Sequence, residues 1–282
     1  MQTYYGWSMK RIALGYPLTT AFLSLIRQKY FMALILVLPF WSGCQTGQGS
    51  SGGLAESPDI LRVGVAANMP PFVFKQDREL VGLEVDFAKA LGEKLGREVR
   101  FVEMNWERLL PALQNNRIDM VMSGMNYTEE RSAVILMTDP YLLSGHMALT
   151  LRKNLSKYPL PGLIANTRAK VGVERGTTGE FLVEAYFPNA ELKTYPSADR
   201  GARAVASGEI ELFIHDAPTI YWMGGVYQNR GVAVAQPVLT EDVMVWGISR
   251  SQPDLLREVN LILEQWGNDG TTDRILSRWI NL

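Results

Sequence analysis

The residues best suited to chemistry in this chain are a cation, an acid and two hydroxyls spread far apart in sequence. Arg131 ends the segment Ser123-Gly-Met-Asn-Tyr-Thr-Glu-Glu-Arg131, which follows the β-rich Met120-Val-Met122 and leads into a helix. A guanidinium is a planar, permanently charged fork suited to bidentate capture of a carboxylate, each charge-assisted bond contributing about 1.5–3 kcal/mol. Taken alone, the segment equally describes an ordinary helix start, with Thr128 as cap and Arg131 paired with Glu130 or turned to solvent. Gly176-Thr177-Thr178 precedes a second helical segment, where hydroxyls and free N–H groups either converge on an anion or simply cap the helix. Asp216 follows the apolar run 210–214 and precedes Ala-Pro, a position open to a ligand-facing carboxylate or to a cap. Glu174, two residues before the Gly-Thr-Thr turn, can face the same site or solvent.

Other chemistries are poorly served. The single cysteine, Cys44, cannot form an intrachain disulfide, and the two histidines, His146 and His215, stand far apart without metal-ligand spacing. Structural zinc and a Cys-His nucleophile pair are therefore not expected, nor is any cofactor. The formal net charge is −1, and Lys and Arg are scattered rather than gathered in a stripe, which argues against nucleic acid as a partner. Met120, Met122 and Met125 read as strand or core packing rather than a copper site.

These residues have to be placed by a scaffold of alternating strands and helices. The β-rich run Leu61-Arg-Val-Gly-Val-Ala66 is followed by an amphipathic helix over 86–95 with Gly96 as its stop, which is a βα unit. Further strands are predicted over 99–104, 118–122 and 147–151, with a helix from Trp106 to about Asn115. A similar series begins again with strands over 169–173, 192–195 and 210–214. Such alternation predicts an α/β protein with mainly parallel sheets covered on both faces, whose ligands bind beyond the carboxyl ends of the strands. Residues 253–282 are helical in pattern, with Leu255, Leu256, Val259, Leu263 and Trp266 on the apolar side, and are expected to pack back on the first series.

The N-terminus reads as an address. Arg27 and Lys29 precede the apolar run 30–40, the length of a signal h-region and short of the roughly twenty residues that span a bilayer. Trp41-Ser-Gly-Cys44 resembles a bacterial lipobox, although Trp41 stands where an aliphatic residue is usual. The expectation is a signal peptide over 1–43, a lipidated Cys44, and a Gly/Ser-rich tether through 58.

The order of motifs from about Ile60 to the C-terminus resembles family 3 of the bacterial extracellular solute-binding proteins, the polar amino-acid binding components of importers. Its landmarks are Met69-Pro-Pro-Phe72, Val81-Gly-Leu-Glu-Val-Asp86, Asn105-Trp106, the run from Asp119 to Arg131, Asp139-Pro-Tyr141, Gly176-Thr-Thr178 and Asp216. The resemblance implies a two-lobed fold of the type II periplasmic-binding-protein kind, with a ligand cleft between lobe 1 (59–150, completed by 243–282) and lobe 2 (151–242). It implies that Arg131 holds a ligand's α-carboxylate, aided by backbone groups around Ser123, Gly124 and Asn126 and, from the other side, by Thr177 and Thr178. Asp216 takes the α-ammonium, so the opposed pair selects a zwitterion. Trp106 packs on the ligand side chain, while Met69 stands where many relatives have an aromatic residue. Asn68, Phe72 and Glu174 are further candidates for the pocket, and Glu84 and Asp86 read as structural at a helix N-terminus.

The function so implied is capture of an amino acid or similar small zwitterion outside the cytoplasm, at the periplasm or cell surface. The partners are an ABC-type permease and a membrane reached through the lipid. Closure about a hinge near 149–151 and 244–247 is the expected signal. Two other classes share the resemblance. One is a sensory or regulatory ligand-binding domain, like the N-terminal part of lytic murein transglycosylase F. The other is an enzyme like cyclohexadienyl dehydratase, which needs an acid to assist departure of a hydroxyl, a role for which only Glu174 suggests itself.

Overall fold

The computed structural model describes residues 60–280. The expected signal peptide, Cys44 and the tether lie outside the described residues. The chain opens with β1 (Ile60–Val65) and a small antiparallel hairpin set, β2 (Asn68–Met69), β3 (Val73–Gln76) and β4 (Glu79–Val81). Helix α1 (Leu83–Leu95) ends at Gly96 in the left-handed conformation, as the Gly stop predicts. Then come β5 (Glu98–Glu103), α2 (Trp106–Gln114), β6 (Met120–Asn126), the short α3 (Glu129–Ser132), β7 (Leu136–Met137) and β8 (Leu142–Ser144). Strand β6 begins two residues later than the predicted 118 and runs on to Asn126, so Ser123 and Gly124 belong to the strand and not to a loop. Every residue of β6 is buried, including the polar ones, which is why its hydrophobic pattern stopped short in the sequence.

A second series follows: β9 (His146–Leu151), α4 (Pro161–Ala165), β10 (Lys170–Glu174), α5 (Thr178–Tyr186), β11 (Glu191–Tyr195), α6 (Ala198–Ser207), β12 (Leu212–Asp216), α7 (Ala217–Tyr227) and β13 (Val232–Ala235). The chain closes with β14 (Asp242–Ile248), α8 (Pro253–Asp269) and α9 (Thr271–Trp279). No helix among the described residues is long and apolar enough to cross a membrane.

Two sheets result. The first has the order β5-β1-β6-β14-β7, with β8 also on β14; β5, β1 and β6 are parallel and β14 runs against them. The second has the order β11-β10-β12-β9-β13, parallel through β11, β10 and β12, with β9 antiparallel to both its neighbours. In β12 successive residues feed opposite cores: Phe213 joins Met147, Leu149 and Ile220 on one face, while Leu212 and Ile214 join Val171 and Val173 on the other. That is the both-faces-covered strand its unbroken apolar run predicts.

In the first lobe α8 buries Leu255, Val259, Leu263 and Trp266 in the same core as Leu61, Val63 and Trp246. Phe87 lies within 5.5–6.0 Å, centroid to centroid, of the rings of Tyr141, Trp246 and Trp266. Each such side chain buried in full contributes about 1.5–3 kcal/mol, and paired rings about 0.5–1.5 kcal/mol more.

The chain crosses between the sheets through Gly145, linking β8 to β9, and through residues 236–241, linking β13 to β14. These crossings touch: a Cβ added to Gly145 would stand 2.1 Å from the Thr240 carbonyl oxygen. The His146 N–H donates to Thr240 Oγ1 at 2.9 Å, and the Leu239 N–H to the His146 carbonyl at 2.8 Å. The expected hinge residues 149–151 and 244–247 lie instead inside paired strands, β9 and β14, where ladder bonds on both sides resist rotation. For the same reason the second sheet begins at His146, ahead of the 150/151 division drawn from the sequence.

Candidate functional site

The carboxyl end of β6 delivers Asn126, and the turn after it delivers Arg131. Thr128 caps α3, its hydroxyl accepting from the Arg131 N–H at 3.2 Å, so the capping part of the simple reading holds. The rest does not. The Arg131 side chain turns inward, is only 9% exposed, and donates through Nη1 to the Asn126 carbonyl at 2.9 Å. Its guanidinium carbon lies 5.3 Å from the centroid of the Trp106 ring, a cation–π contact. Burial pulls its pKa down, and attraction to Asp216 and Glu130 opposes the shift.

Opposite stand groups from the second sheet. Asp216 occupies the cap position of α7 but makes no capping bond; it is buried, and its Oδ1 accepts from Asn126 Nδ2 at 2.6 Å. Burial would raise its pKa, yet His215, His146 and the Asn126 amide outweigh that and hold it at about 2. Asn126 Nδ2 also donates to Thr178 Oγ1 at 2.9 Å, and Trp106 Nε1 donates to the Gly176 carbonyl at 2.9 Å. Arg131, Trp106, Asn126, Thr178 and Asp216 are thus brought together from both lobes.

The remaining expected residues support the site rather than face it. Ser123 Oγ accepts from the Ala66 N–H at 3.0 Å and ties β6 to β1. The Gly124 N–H donates to Glu84 at 2.7 Å, and Gly124 takes φ +69 with the Phe72 ring 2.8 Å from where a Cβ would stand. Only glycine meets both conditions at little cost. Thr177 Oγ1 donates to the Glu174 carbonyl at 2.7 Å. Met69 and Phe72 are core residues, and Asn68 is exposed.

Glu84 is structural, but not through the helix dipole. It is fully buried and accepts from Gly124, Tyr141 Oη and, at 3.2 Å, Trp246 Nε1; burial outweighs these bonds and raises its pKa from 4.5 to about 7. Asp86 accepts from Trp279 Nε1 at 3.0 Å, fastening α9.

Sequence reasoning missed both histidines. Strands β9 and β12 are antiparallel with Asp216 opposite His146, so residues remote in sequence become cross-strand partners. His146 Nδ1 lies 2.9 Å from Asp242, and its Nε2 lies 3.1 Å from Thr178 Oγ1 and 3.8 Å from Asp216 Oδ1. His215 sits between Glu174 at 3.2 Å and Asp216 at 3.3 Å. Burial lowers the His215 pKa, but the two carboxylates dominate and push it up to about 10. Glu174 is therefore neither solvent-facing nor aimed at the cleft. The alternation of buried His215 with Asp216 along β12 was a signal available in the sequence; the pairing partner of β9 was not.

Comparison with known proteins places this geometry. The model of the bacterial extracellular solute-binding proteins, family 3, matches residues 61–282. A probable histidine-binding protein of Campylobacter jejuni is 31% identical over 199 residues, spanning 68% of this chain and 75% of that protein. An ancestral arginine-binding protein, solved bound to arginine, is 30% identical with a TM-score of 0.72, covering 79% of this chain and 99% of that one. An ancestral amino acid-binding protein described as a precursor of cyclohexadienyl dehydratase is 32% identical with a TM-score of 0.72, covering 79% of this chain and 96% of its own.

Proposed function

This chain belongs to family 3 of the bacterial extracellular solute-binding proteins, and we propose that its cleft captures an α-amino acid and presents it to an ABC-type importer. The observation that carries the reading is the convergence of Arg131 and Asp216 on Asn126. Arg131 spends one bond on the Asn126 carbonyl, and the rest of its fork suits an α-carboxylate. Asp216 Oδ1 and Thr178 Oγ1 already accept from one nitrogen, the Asn126 amide, in the manner an α-ammonium requires. Asn126 Oδ1 is buried without a hydrogen-bond partner, a further acceptor beside that position. Relatives named for histidine and arginine support an amino acid as the class of ligand. Trp106 supplies an aromatic face for a side chain.

Export and a lipid on Cys44 belong to the same reading and rest on the leader and lipobox-like sequence. An unmodified Cys44 in the mature protein, seen by mass spectrometry of the membrane fraction, would remove the anchor without touching the binding site. The dehydratase alternative loses its acid, since Glu174 is committed to His215.

The test is calorimetry and thermal shift of the purified protein against the twenty common L-amino acids. At least one should bind with a dissociation constant of roughly micromolar, about 8 kcal/mol. Absence of heat and of any shift across the whole set would reject the reading.

A further inference from the structure

His146 is buried, belongs to no motif of the resemblance, and stands against Thr178 and Asp216 on the ammonium side of the cleft. Its position follows from the fold. It is the first residue of β9, directly after Gly145 in one crossing segment, and its ring reaches Thr240 on the other and Asp242 at the start of β14. The opposite ring edge faces Thr178 and Asp216. One imidazole thus joins the place where the lobes are connected to the place where they meet.

The hydrogen bonds around it have a fixed sense. The Asp242 carboxylate only accepts, so Nδ1 keeps its proton and donates to it at 2.9 Å. The proton of interest is therefore the one on Nε2. Thr178 Oγ1 has one proton to give and lone pairs to receive with, and Asn126 Nδ2 already donates to it. When Nε2 is bare, it accepts the Thr178 proton at 3.1 Å, and the hydroxyl turns its lone pairs toward the cleft. When Nε2 is protonated, it donates to Thr178 and lies 3.8 Å from Asp216 Oδ1, competing for the same two acceptors that an ammonium needs. It also sets a second positive charge within a few ångströms of that ammonium in a poorly solvated site, where like charges exclude each other.

We propose that His146 is a positioning residue for the ammonium half of the cleft, and that a ligand is held only when its Nε2 is unprotonated, so that capture expels a proton to solvent and acidification releases the ligand. The proposal rests on the amino-acid reading above. The charged groups facing His146 are Asp242 from β14 and Asp216 from β12, with His215 and Glu174 behind Asp216 and Arg131 across the cleft. Asp216, held at about 2, and Asp242, also lowered as burial is outweighed by His146 and Thr240, stay ionised over the range in which histidines titrate. His215, at about 10, stays charged. Glu84, near 7 behind Gly124, also produces a slope there, and it must be tested separately.

The experiment is calorimetry of the full-length protein in detergent with L-arginine, whose own charges are constant from about pH 5 to about pH 8, or with whichever other non-titrating amino acid the screen above selects. Buffers of different ionisation enthalpy count the protons exchanged. The native protein should bind at least about tenfold more weakly at the acidic end and release about half a proton per ligand at the midpoint, rising toward one below it. His146→Gln should flatten the profile to within about twofold while remaining folded by circular dichroism. Asp242→Asn, which removes the charge favouring the imidazolium but keeps an acceptor, should move the midpoint to lower pH. Glu84→Gln should leave the slope in place. A native profile that is flat, or a slope that survives His146→Gln or vanishes in Glu84→Gln, overturns the assignment while leaving amino-acid capture standing. Failure of the native protein to bind any amino acid at any pH overturns both.

Discussion

Arg131 and Asp216 carry opposite charges into one cleft, but their loss should not be equivalent. Removing Arg131 leaves a ligand carboxylate buried without its main partner, a cost of several kcal/mol. Arg131→Ala should therefore abolish detectable binding in calorimetry while the thermal transition stays cooperative. Asp216→Asn keeps an oxygen acceptor and removes the charge, so it should weaken an amino acid strongly and its deaminated analogue much less. Equal weakening of the two ligands, measured side by side, would refute the zwitterion geometry. Arg131, Asp216, Thr178 and Trp106 were legible in the sequence because motif order marks them. Asn126 was legible only as a backbone contributor, whereas the structure makes its amide the bridge between the lobes. His146 was not legible, because nothing local indicates that β9 will pair antiparallel with β12.

Among the elements, the βα units could be read because apolar runs, amphipathic periods and stops such as Gly96 are local signals. The boundary of β6 could not, since Ser123 and Asn126 are polar residues buried by what packs on them: Ala66 on one, Thr178 and Asp216 on the other. The hinge was misplaced for a related reason. Apolar strand residues look alike whether they end a sheet or cross between sheets, and only pairing separates the two. The crossing at Gly145 is defined by close approach, with the Thr240 carbonyl 2.1 Å from a would-be Cβ. Gly145→Ala should push the two crossing segments apart at a cost of about 1–3 kcal/mol, as overpacking does. It should lower the melting temperature and weaken ligand binding together; a variant unchanged in both would show that the crossings yield freely.

For the whole molecule, protons held in its interior set how stability varies with pH. The Glu84 carboxyl, raised from 4.5 to about 7, and the His215 imidazole, raised from 6.5 to about 10, both bind protons more tightly in the folded state. Their contributions are complete below the unfolded values and are lost as pH rises through the folded ones. Asp216, lowered from 3.8 to about 2, acts in the opposite sense, its contribution disappearing as pH falls through about 2. Denaturant unfolding should therefore show stability declining from mildly acid toward alkaline pH, and His215→Gln should remove the part of that decline above about 6.5. An unchanged alkaline limb in His215→Gln would mean that the ring is not the proton holder. Phe74 and Trp222 form a ring contact that reads out the position of the lobes. Phe74 lies on β3 and Trp222 on α7, 5.0 Å apart across the lobes, while Trp246 and Trp266 are fully buried in one lobe. Indole emission depends on what surrounds the ring, so parting and meeting of the lobes becomes a change in the colour and brightness of light from Trp222 and from Trp106 in the cleft, over the steady light of the two buried indoles. Ligand addition should shift the intrinsic fluorescence of the unlabelled protein. Trp222→Phe should lose the part of that signal that Trp106 in the cleft does not supply, at nearly unchanged affinity, which makes the speed of closure readable by stopped flow with no dye attached.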